Sequence, residues 1–383
     1  MYDRKLESFA KKIHKQYPIL TIIGPRQSGK STFARKVFPK YHYVSLETTA
    51  DKELAQTDPK GFFAKYPAPL IIDEVQRVPQ LLSDLQTLVD QPGFNSHYIL
   101  TGSHQLLLME KVSQSLAGRT TILTLLPLSL FELKQKKVQK NIDVRIFTGG
   151  YPRIYDQSLD PGQWVSQYIR TYVERDVRAI AQLKDLDIFQ RFLALCAGRV
   201  GQILNFDSLA NDCGITGPTA KAWVSILEAS FLVFRLNPHH KNFGKRVIKS
   251  SKLYFYDTAV LCSLLKIKEP DHLNVHPLRG FIFENFVILE KLKTLLNKGE
   301  EPQFYFWRDA KGREIDLVED RGLYLFPTEI KVGQSFQRSY LDHLKYFNSL
   351  QKIENQEELG ELVLGGDENY KTEGYSVHSW WDD

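Results

Sequence analysis

The sequence has few cysteines and no long apolar run. Its three cysteines, Cys196, Cys213 and Cys262, are widely spaced and form no Cys-x-x-Cys pair. This argues against a disulfide framework or a zinc site and fits a reducing compartment. No apolar run approaches the roughly 18 residues that a membrane-spanning helix needs. The N-terminal stretch is charged throughout, unlike a signal peptide. We therefore expect a cytoplasmic protein.

Length and charge predict a multidomain protein with one basic region. A chain of 383 residues that is 43% hydrophobic and 25% charged is expected to form two or three globular domains. The net charge is only +5, yet the stretch from Arg235 to Tyr256 holds six Lys and Arg residues and no acid. The basic character of the chain is therefore concentrated in that stretch.

Apolar segments alternate with helical segments over roughly residues 17–130. The segments that are typical of short buried strands are PILTIIG, HYVSLE, APLIIDE, HYILTGS and RTTILTLLPLS. Helical patterns separate most of them. This alternation predicts an α/β fold with a parallel sheet covered on both faces.

A phosphate-binding loop follows the first of these strands. GPRQSGKST fits the pattern G-x-x-x-x-G-K-[ST] and stands between a strand and a helix, which is the context that the motif requires. Lys30 is predicted to reach the β- and γ-phosphates of a nucleotide, and Ser31 to bind Mg²⁺. The predicted nucleotide-binding residues are Gly24, Gln27, Ser28, Gly29, Lys30, Ser31, Thr32 and Asp73.

Later strands supply the predicted hydrolytic residues. Asp73 ends the apolar strand of LIIDEVQ, where it would lie beside Mg²⁺, and Glu74 would polarise an attacking water. Ser103 is placed to contact the γ-phosphate or that water. Arg119 follows a glycine and would act on the nucleotide of a neighbouring subunit, or it is simply a solvated surface residue. A small-molecule P-loop kinase would not need Glu74, so the pair of acids favours hydrolysis.

A helix-turn-helix with a basic wing is predicted after residue 187. The turn CGIT separates two helical segments, and the strand FLVFRL precedes the basic stretch. Alternation with Asn, Gly and Ser predicts exposed cations, which would contact nucleic-acid phosphates with little sequence preference. These cations are Lys241, Lys245, Arg246, Lys249 and Lys252. A protein-binding wing and a plain solvated face are the alternatives.

Two carboxylates and a lysine occupy a predicted strand–turn–strand near the C-terminus. Asp316 lies in the first strand, and Glu329 and Lys331 share one face of the second strand. Glu284 lies on a preceding helix. Asp316 and Glu329 would hold Mg²⁺ or Mn²⁺ while Lys331 orients water, which is the residue order of restriction-endonuclease-like nucleases. An ordinary surface ion pair is the alternative.

These motifs together resemble the AAA-type ATPases of bacteria and archaea that carry a C-terminal domain of unknown function. The resemblance runs through LTGSHQLLL, SLAGRTTILTLLPLSLFEL, GGYPRIY, YIRTYVERDV, GFIFENFVILEKLK and FYFWRDAKGREIDLV. It implies nucleotide roles for Lys30, Ser31, Asp73, Glu74, Ser103 and Arg119. No arginine of the helical lid stands out as a γ-phosphate sensor.

The resemblance also implies a domain order. We expect an AAA+-like core over residues 1–135, a helical lid or linker over 136–186, a winged helix-turn-helix over 187–262 and a restriction-endonuclease-like domain over 275–383. Two functions stay open. One is a Mg²⁺-dependent ATPase that drives a DNA-directed module, with or without nuclease activity. The other is an ATP-driven switch that binds a protein partner and cuts nothing. Arg119 is the one sequence hint of a homo-oligomer.

Overall fold

The computed structural model describes residues 2–93, 96–103, 115–136, 138–172, 186–239, 250–351 and 358–382. Elements are numbered in chain order within these ranges. The α-helices α1 to α8 are Leu6–Ile13, Lys30–Val37, Thr49–Thr57, Pro59–Lys65, Leu81–Val89, Leu130–Lys134, Ile142–Thr148 and Pro152–Asp156. Helices α9 to α15 are Pro161–Tyr168, Leu186–Ala197, Phe206–Cys213, Gly217–Ala229, Thr258–Leu264, Arg279–Lys298 and Asp342–Gln351.

The strands form two sheets. Strands β1 to β7 are Ile19–Ile23, His42–Ser45, Leu70–Asp73, Tyr98–Gly102, Thr120–Thr124, Val233–Pro238 and Lys252–Phe255. Strands β8 to β13 are Phe304–Arg308, Glu314–Asp320, Leu325–Lys331, Gly360–Leu364, Tyr370–Thr372 and Tyr375–Ser379. The first sheet has the order β2-β3-β4-β1-β5, and the second has the order β12-β13-β11-β10-β9-β8-β6-β7.

The predicted parallel sheet is confirmed. All four strand pairs of the first sheet are parallel. Both faces are covered, because alternate residues of a strand point to opposite sides. Ile19 and Ile23 therefore enter one hydrophobic core, while Leu20 and Ile22 enter the other, against α1 and α2. The loops at the carboxyl ends of β1, β3 and β4 consequently meet along one edge of the sheet.

Three helices and a hairpin occupy the middle of the chain. Helices α10, α11 and α12 follow one another, and the predicted turn lies between α11 and α12. The antiparallel pair β6 and β7 comes next. Strand β6 also pairs in parallel with β8 through Asn237 and Pro238, so the hairpin extends the sheet of the C-terminal part. One hydrophobic core runs from Leu130 to Trp380 and includes residues of all four predicted domains.

Helix α14 connects the two sheets. Its Leu289 joins the core of the first sheet, whereas Ile282 and Phe283 join the core of the C-terminal part. Within the described ranges, every helix is too short or too polar to cross a bilayer.

Candidate functional site

The loop between β1 and α2 has the backbone shape that a bound phosphate requires. Gly24 has φ of +151°, and a Cβ there would lie 2.2 Å from the carbonyl oxygen of Leu125. Gln27 and Gly29 also have positive φ, and Gly29 caps α2, which begins at Lys30. The chain thus turns tightly into a helix N-terminus, where unpaired amide groups favour an anion.

The side chain of Lys30 folds back over this loop. It is buried, and its ammonium donates to the carbonyl oxygens of Gly24 at 3.0 Å and Pro25 at 2.9 Å. Burial lowers the pKa of Lys30 to about 8, although Glu74 and Asp73 favour the charged form. Phosphate oxygens are stronger, charge-assisted partners than these carbonyls. The ammonium is therefore positioned to exchange the two carbonyl oxygens for the phosphate oxygens of a nucleotide.

Arg4 braces the same loop from the N-terminal segment, and sequence reasoning missed it. Its guanidinium donates to the carbonyl oxygens of Ser28 at 3.0 Å and Leu126 at 2.6 Å, and it pairs with Glu132 at 3.0 Å. Ser28 is buried, and its hydroxyl has no hydrogen-bond partner among the described residues. No local pattern marks Arg4, because its partners lie far away in the sequence.

Asp73 is surrounded by hydroxyl groups. Ser31 donates to its two carboxylate oxygens at 2.8 and 2.9 Å, and Tyr43 donates to Oδ2 at 2.7 Å. Thr101 also donates to Oδ1. Hydroxyl and carboxylate oxygens are hard ligands that suit Mg²⁺. The donor set of Ser31 and Asp73 therefore fits the metal that the sequence predicts there.

Glu74 and Ser103 meet at the ends of neighbouring strands. Glu74 has φ of +56°, which turns the chain sharply after β3. The hydroxyl of Ser103 lies 3.1 Å from Glu74 Oε2, and the amide of Gln76 donates to both side chains. Ser103 thus contacts the predicted hydrolytic carboxylate and helps to fix its orientation. Gln76 was not predicted, although it stands two residues after Glu74.

A cavity of about 370 Å³ opens over these residues. The predicted residues that line it are Gln27, Gly29, Lys30, Ser31, Thr32, Asp73 and Glu74. The segment GGYPRIY closes its other side with Pro152 and Arg153. Arg153 is exposed, and its Nε donates to Gln157 at 3.2 Å. The sequence did not indicate which arginine of the lid would contact the γ-phosphate. In the structure, Arg153 lies at the cavity wall.

Buried contacts fix the GGYPRIY segment. The Leu128 amide donates to the carbonyl oxygen of Gly150 at 2.7 Å, and the Gly150 amide donates to Asp257 at 2.8 Å. Tyr151 is fully buried, and its hydroxyl bonds that of Tyr168 at 3.1 Å. Arg153 therefore emerges from a backbone that is rigidly joined to the C-terminal half through Asp257.

Arg119 lies away from the cavity of its own chain. Its guanidinium forms two parallel bonds to Asp90, Nε to Oδ1 at 2.6 Å and Nη2 to Oδ2 at 2.7 Å. Both side chains are partly exposed. The ion pair raises the pKa of Arg119 and lowers that of Asp90. It is not among the residues that line the cavity over Lys30 and Glu74.

The C-terminal hairpin brings its predicted residues together. Strands β9 and β10 are antiparallel with Thr328 opposite Leu317, so the next step places Glu329 opposite Asp316 on one face. Lys331 Nζ lies 2.5 Å from Glu329 and 3.7 Å from Asp316. Burial and the neighbouring Asp316 raise the pKa of Glu329.

Lys252 corrects the prediction of an exposed basic wing. Only 2% of its surface is accessible, and its ammonium lies 3.0 Å from Glu284 and 2.6 Å from Glu314. Tyr254 also donates to Glu284. The prediction of exposure was wrong because the Lys252 side chain turns inward from the edge strand β7 to the carboxylates of Glu284 and Glu314, instead of projecting from a free wing. Sequence reasoning did not place Lys252, Tyr254 and Glu314 beside the C-terminal carboxylates. Only Glu314 could have been found from the sequence, because it stands two residues before Asp316.

The other predicted DNA-contacting cations, Lys241, Lys245, Arg246 and Lys249, lie outside the described residues. Within the described ranges, no three His, Cys, Asp or Glu side chains are arranged to hold a metal ion. The C-terminal carboxylates are instead bonded to the ammonium groups of Lys252 and Lys331. As it stands, the donor set at this second site does not fit a divalent metal.

Three protein families match successive parts of the chain. They are described as an AAA domain over residues 16–134, a domain of unknown function (DUF8612) over 139–271 and a domain of unknown function (DUF4143) over 279–381. An uncharacterised protein of Mycobacterium tuberculosis is 30% identical over 324 residues, which span 82% of this chain and 70% of the relative. The chain belongs to the same family. It is a family of AAA-type ATPases.

Other similar proteins are more distant. An uncharacterised protein of Methanocaldococcus jannaschii is 25% identical over 303 residues, which span 64% of this chain and 62% of that protein. Among solved structures, a Walker-type ATPase of Pyrococcus abyssi has a TM-score of 0.42 and 17% identity over 69% of this chain and 96% of that one. The AAA domain supports ATP binding and hydrolysis and implies the use of Mg²⁺.

Proposed function

We propose that this AAA-type protein is a Mg²⁺-dependent ATPase whose nucleotide state controls a DNA-directed, restriction-endonuclease-like C-terminal module. The observation that carries the proposal is the cavity over the phosphate-binding loop. Lys30, Asp73 and Glu74 line it from the sheet, and Arg153 lines it from GGYPRIY. The same segment is bonded through Gly150 to Asp257, on the C-terminal side. The wall of the nucleotide cavity is therefore bonded to the segment that precedes the C-terminal module.

Each residue of the cavity has a role in this proposal. Lys30 exchanges its carbonyl contacts for phosphate oxygens, and Ser31 and Asp73 hold Mg²⁺, which would neutralise charge on the phosphates. Glu74 orients the attacking water and accepts its proton. Ser103 keeps Glu74 in position through the bond between their oxygens at 3.1 Å. Hydrolysis follows from these roles because the carboxylate of Glu74 faces the same cavity as Lys30.

Two substitutions test the ATPase. Glu74→Gln should retain ATP binding and reduce kcat by about 10²–10⁴-fold, since the base is lost. Lys30→Ala should weaken binding and abolish turnover. Glu47→Gln is the matched control, because Glu47 lines the same cavity but is bonded to Arg77. ATP turnover is measured with and without DNA. A wild-type protein that hydrolyses no ATP under either condition would refute the ATPase.

The DNA-directed role depends on the basic segment. Replacement of Lys245 and Arg246 by Glu should weaken DNA binding and reduce the slope of log K against log salt by about 2, at roughly 0.9 per phosphate contact. The control is Lys11→Glu with Lys12→Glu, which makes the same charge change on the exposed face of α1. Equal loss of affinity in both variants would indicate a nonspecific charge effect and would contradict a DNA-binding wing.

A second candidate function is an ATP-driven switch that binds a protein partner with a non-cleaving nuclease-like domain. The observation that favours it is the ion pairing of the C-terminal carboxylates with Lys252 and Lys331. It predicts slow hydrolysis and no DNA affinity at moderate salt. The salt titration with Lys245 and Arg246 replaced separates the two functions.

A further inference from the structure

Four carboxylates gather around the hairpin of β9 and β10. Glu314, Asp316 and Glu329 come from the two strands, and Glu284 comes from α14. Glu284, Asp316 and Glu329 are each less than 10% exposed. Buried carboxylates repel one another and lose their hydration, so such a group persists only with compensating cations or bound protons. Lys331 of the hairpin pairs with Glu329, whereas Glu284 is paired with a cation from elsewhere in the chain.

Lys252 supplies that charge from a different part of the fold. Its strand, β7, is the edge of the second sheet, and it pairs with β6 rather than with the hairpin of β9 and β10. The ammonium reaches across to Glu284 at 3.0 Å and to Glu314 at 2.6 Å. Burial disfavours its charged form, but the carboxylates outweigh burial and keep the pKa of Lys252 above its usual value. The lysine is thus a charged, buried counter-ion.

The ammonium and a divalent metal would compete for the carboxylates of Glu284 and Glu314 in the cluster. Each carboxylate oxygen keeps a second lone pair after it accepts a hydrogen bond from Lys252, but the ammonium and a metal ion a few ångströms apart would repel strongly at low dielectric. Lys331 alone does not satisfy the cluster, because Glu329 Oε2 is buried and has no hydrogen-bond partner among the described residues. This oxygen would become a metal ligand once the charge of the Lys252 ammonium is removed.

We propose that Lys252 is an internal counter-ion that occupies the cation position of the C-terminal carboxylate cluster, so that a divalent metal binds there only when the Lys252 ammonium is displaced. The proposal deepens the proposed function by naming what keeps the nuclease-like site inactive. It does not depend on ATP hydrolysis, because the cluster and the nucleotide cavity share no residue.

Mn²⁺ binding to the full chain tests this proposal. All proteins carry Asp73→Asn, which removes the carboxylate of the nucleotide site, and the electron paramagnetic resonance signal of free Mn²⁺ is titrated. The parent should bind no Mn²⁺ at the cluster, whereas Lys252→Met, which keeps the volume of the side chain, should bind one ion per chain. Adding Asp316→Asn should abolish that binding.

The matched control is Lys293→Met. Lys293 is another buried lysine, bonded to Glu290 at 2.7 Å and to the Leu128 carbonyl oxygen at 3.0 Å, outside the cluster. Its replacement should create no Mn²⁺ site. Mn²⁺ should raise the Tm of Lys252→Met but not that of Lys293→Met, because a ligand stabilises the state that binds it.

Three results would overturn the inference. The first is Mn²⁺ binding by the parent that Asp316→Asn removes. The second is a folded Lys252→Met variant that binds none. If Lys252→Met does not fold, the double variant Lys252→Met with Glu284→Gln is used instead, because it removes both charges of one ion pair and leaves three carboxylates. The third overturning result is that this double variant binds no Mn²⁺. ATP turnover is assayed separately on a chain without Asp73→Asn. Failure of the ATPase proposal is thereby distinguished from failure of the counter-ion proposal.

Discussion

At the scale of single residues, two positions are expected to matter most for the nucleotide cavity. Gly24 is the clearest case, since its backbone has φ of +151° and a side chain would meet the carbonyl oxygen of Leu125. Arg153 is the other, since it is the cation that the GGYPRIY segment contributes to the cavity wall. One position restricts the backbone, and the other provides charge.

Gly24→Ala should abolish nucleotide binding or destabilise the core domain. Its Cβ would lie 2.2 Å from a carbonyl oxygen of the adjacent strand connection, so either the loop or β5 must shift. Gly118→Ala is the control, because Gly118 also has positive φ but has nothing within 4 Å of a built Cβ. That substitution should cost only the strain of the left-handed backbone, about 1–2 kcal/mol. Binding of a fluorescent ATP analogue and Tm measure both effects, and similar losses would contradict the prediction.

Arg153→Ala should reduce kcat of ATP hydrolysis by roughly 10²-fold, the usual effect of removing one donor from a developing negative charge. Arg153→Lys should restore part of the loss. Gln157→Ala removes the hydrogen-bond partner of Arg153 but leaves the cation, so it should be close to wild type. A purely structural arginine would change Tm without changing kcat, and this outcome would remove Arg153 from the proposed mechanism.

At the scale of elements, short polar contacts join segments that are distant in the sequence. The carboxylate of Asp257 accepts from the amide of Gly150 at 2.8 Å and from that of Ala259 at 2.9 Å, at the start of α13. Asn285 on α14 bonds both the amide and the carbonyl oxygen of Phe255 on β7. These buried bonds connect the cavity wall to the strand that carries Lys252.

Asp257→Asn should destabilise the protein by about 1–3 kcal/mol and slow ATP turnover. An asparagine caps α13 as well as aspartate does, but its NH₂ group would then face the Gly150 amide and leave a buried donor unsatisfied. Asp160→Asn is the control, because Asp160 is an exposed cap of α9 where the amide substitutes freely. Thermal unfolding and ATPase rates are compared, and equal behaviour of the two variants would show that the Gly150 contact is unimportant.

At the scale of the whole molecule, Arg119 is the residue that would join the nucleotide sites of neighbouring subunits. Arg119 is partly exposed and is bonded to Asp90 of its own chain. An exposed pair of this kind adds little stability. The sequence-based hypothesis that Arg119 acts on the nucleotide of a neighbouring subunit requires it to leave Asp90 in a homo-oligomer.

Arg119→Ala should then reduce turnover by about 10³-fold or more. Mixing it with Lys30→Ala should restore activity, because the second variant lacks its own hydrolysis but still carries Arg119. Asp90→Ala breaks the same ion pair but keeps the arginine, and it should retain activity. Turnover is measured against protein concentration. A fully active Arg119→Ala protein would exclude the shared site.

Several features of the fold could be predicted from the sequence because they depend on local order. The phosphate-binding loop lies between a strand and a helix that are contiguous in the chain, and β-branched runs predicted all five strands of the first sheet. The pairing of Asp316 with Glu329 followed from a hairpin, in which neighbours in sequence are neighbours in space. The functional roles of these residues remain predictions.

The sequence by itself determined the nucleotide loop, the parallel sheet and the face shared by Glu329 and Lys331, because contiguous residues fix backbone direction and side-chain alternation. Only the tertiary structure decided that Lys252 is buried among carboxylates, that Arg153 lines the cavity and that Arg119 is bonded to Asp90. Each of these depends on partners from segments distant along the chain. A basic residue that follows small polar ones has the same local pattern whether its side chain faces solvent or the protein interior.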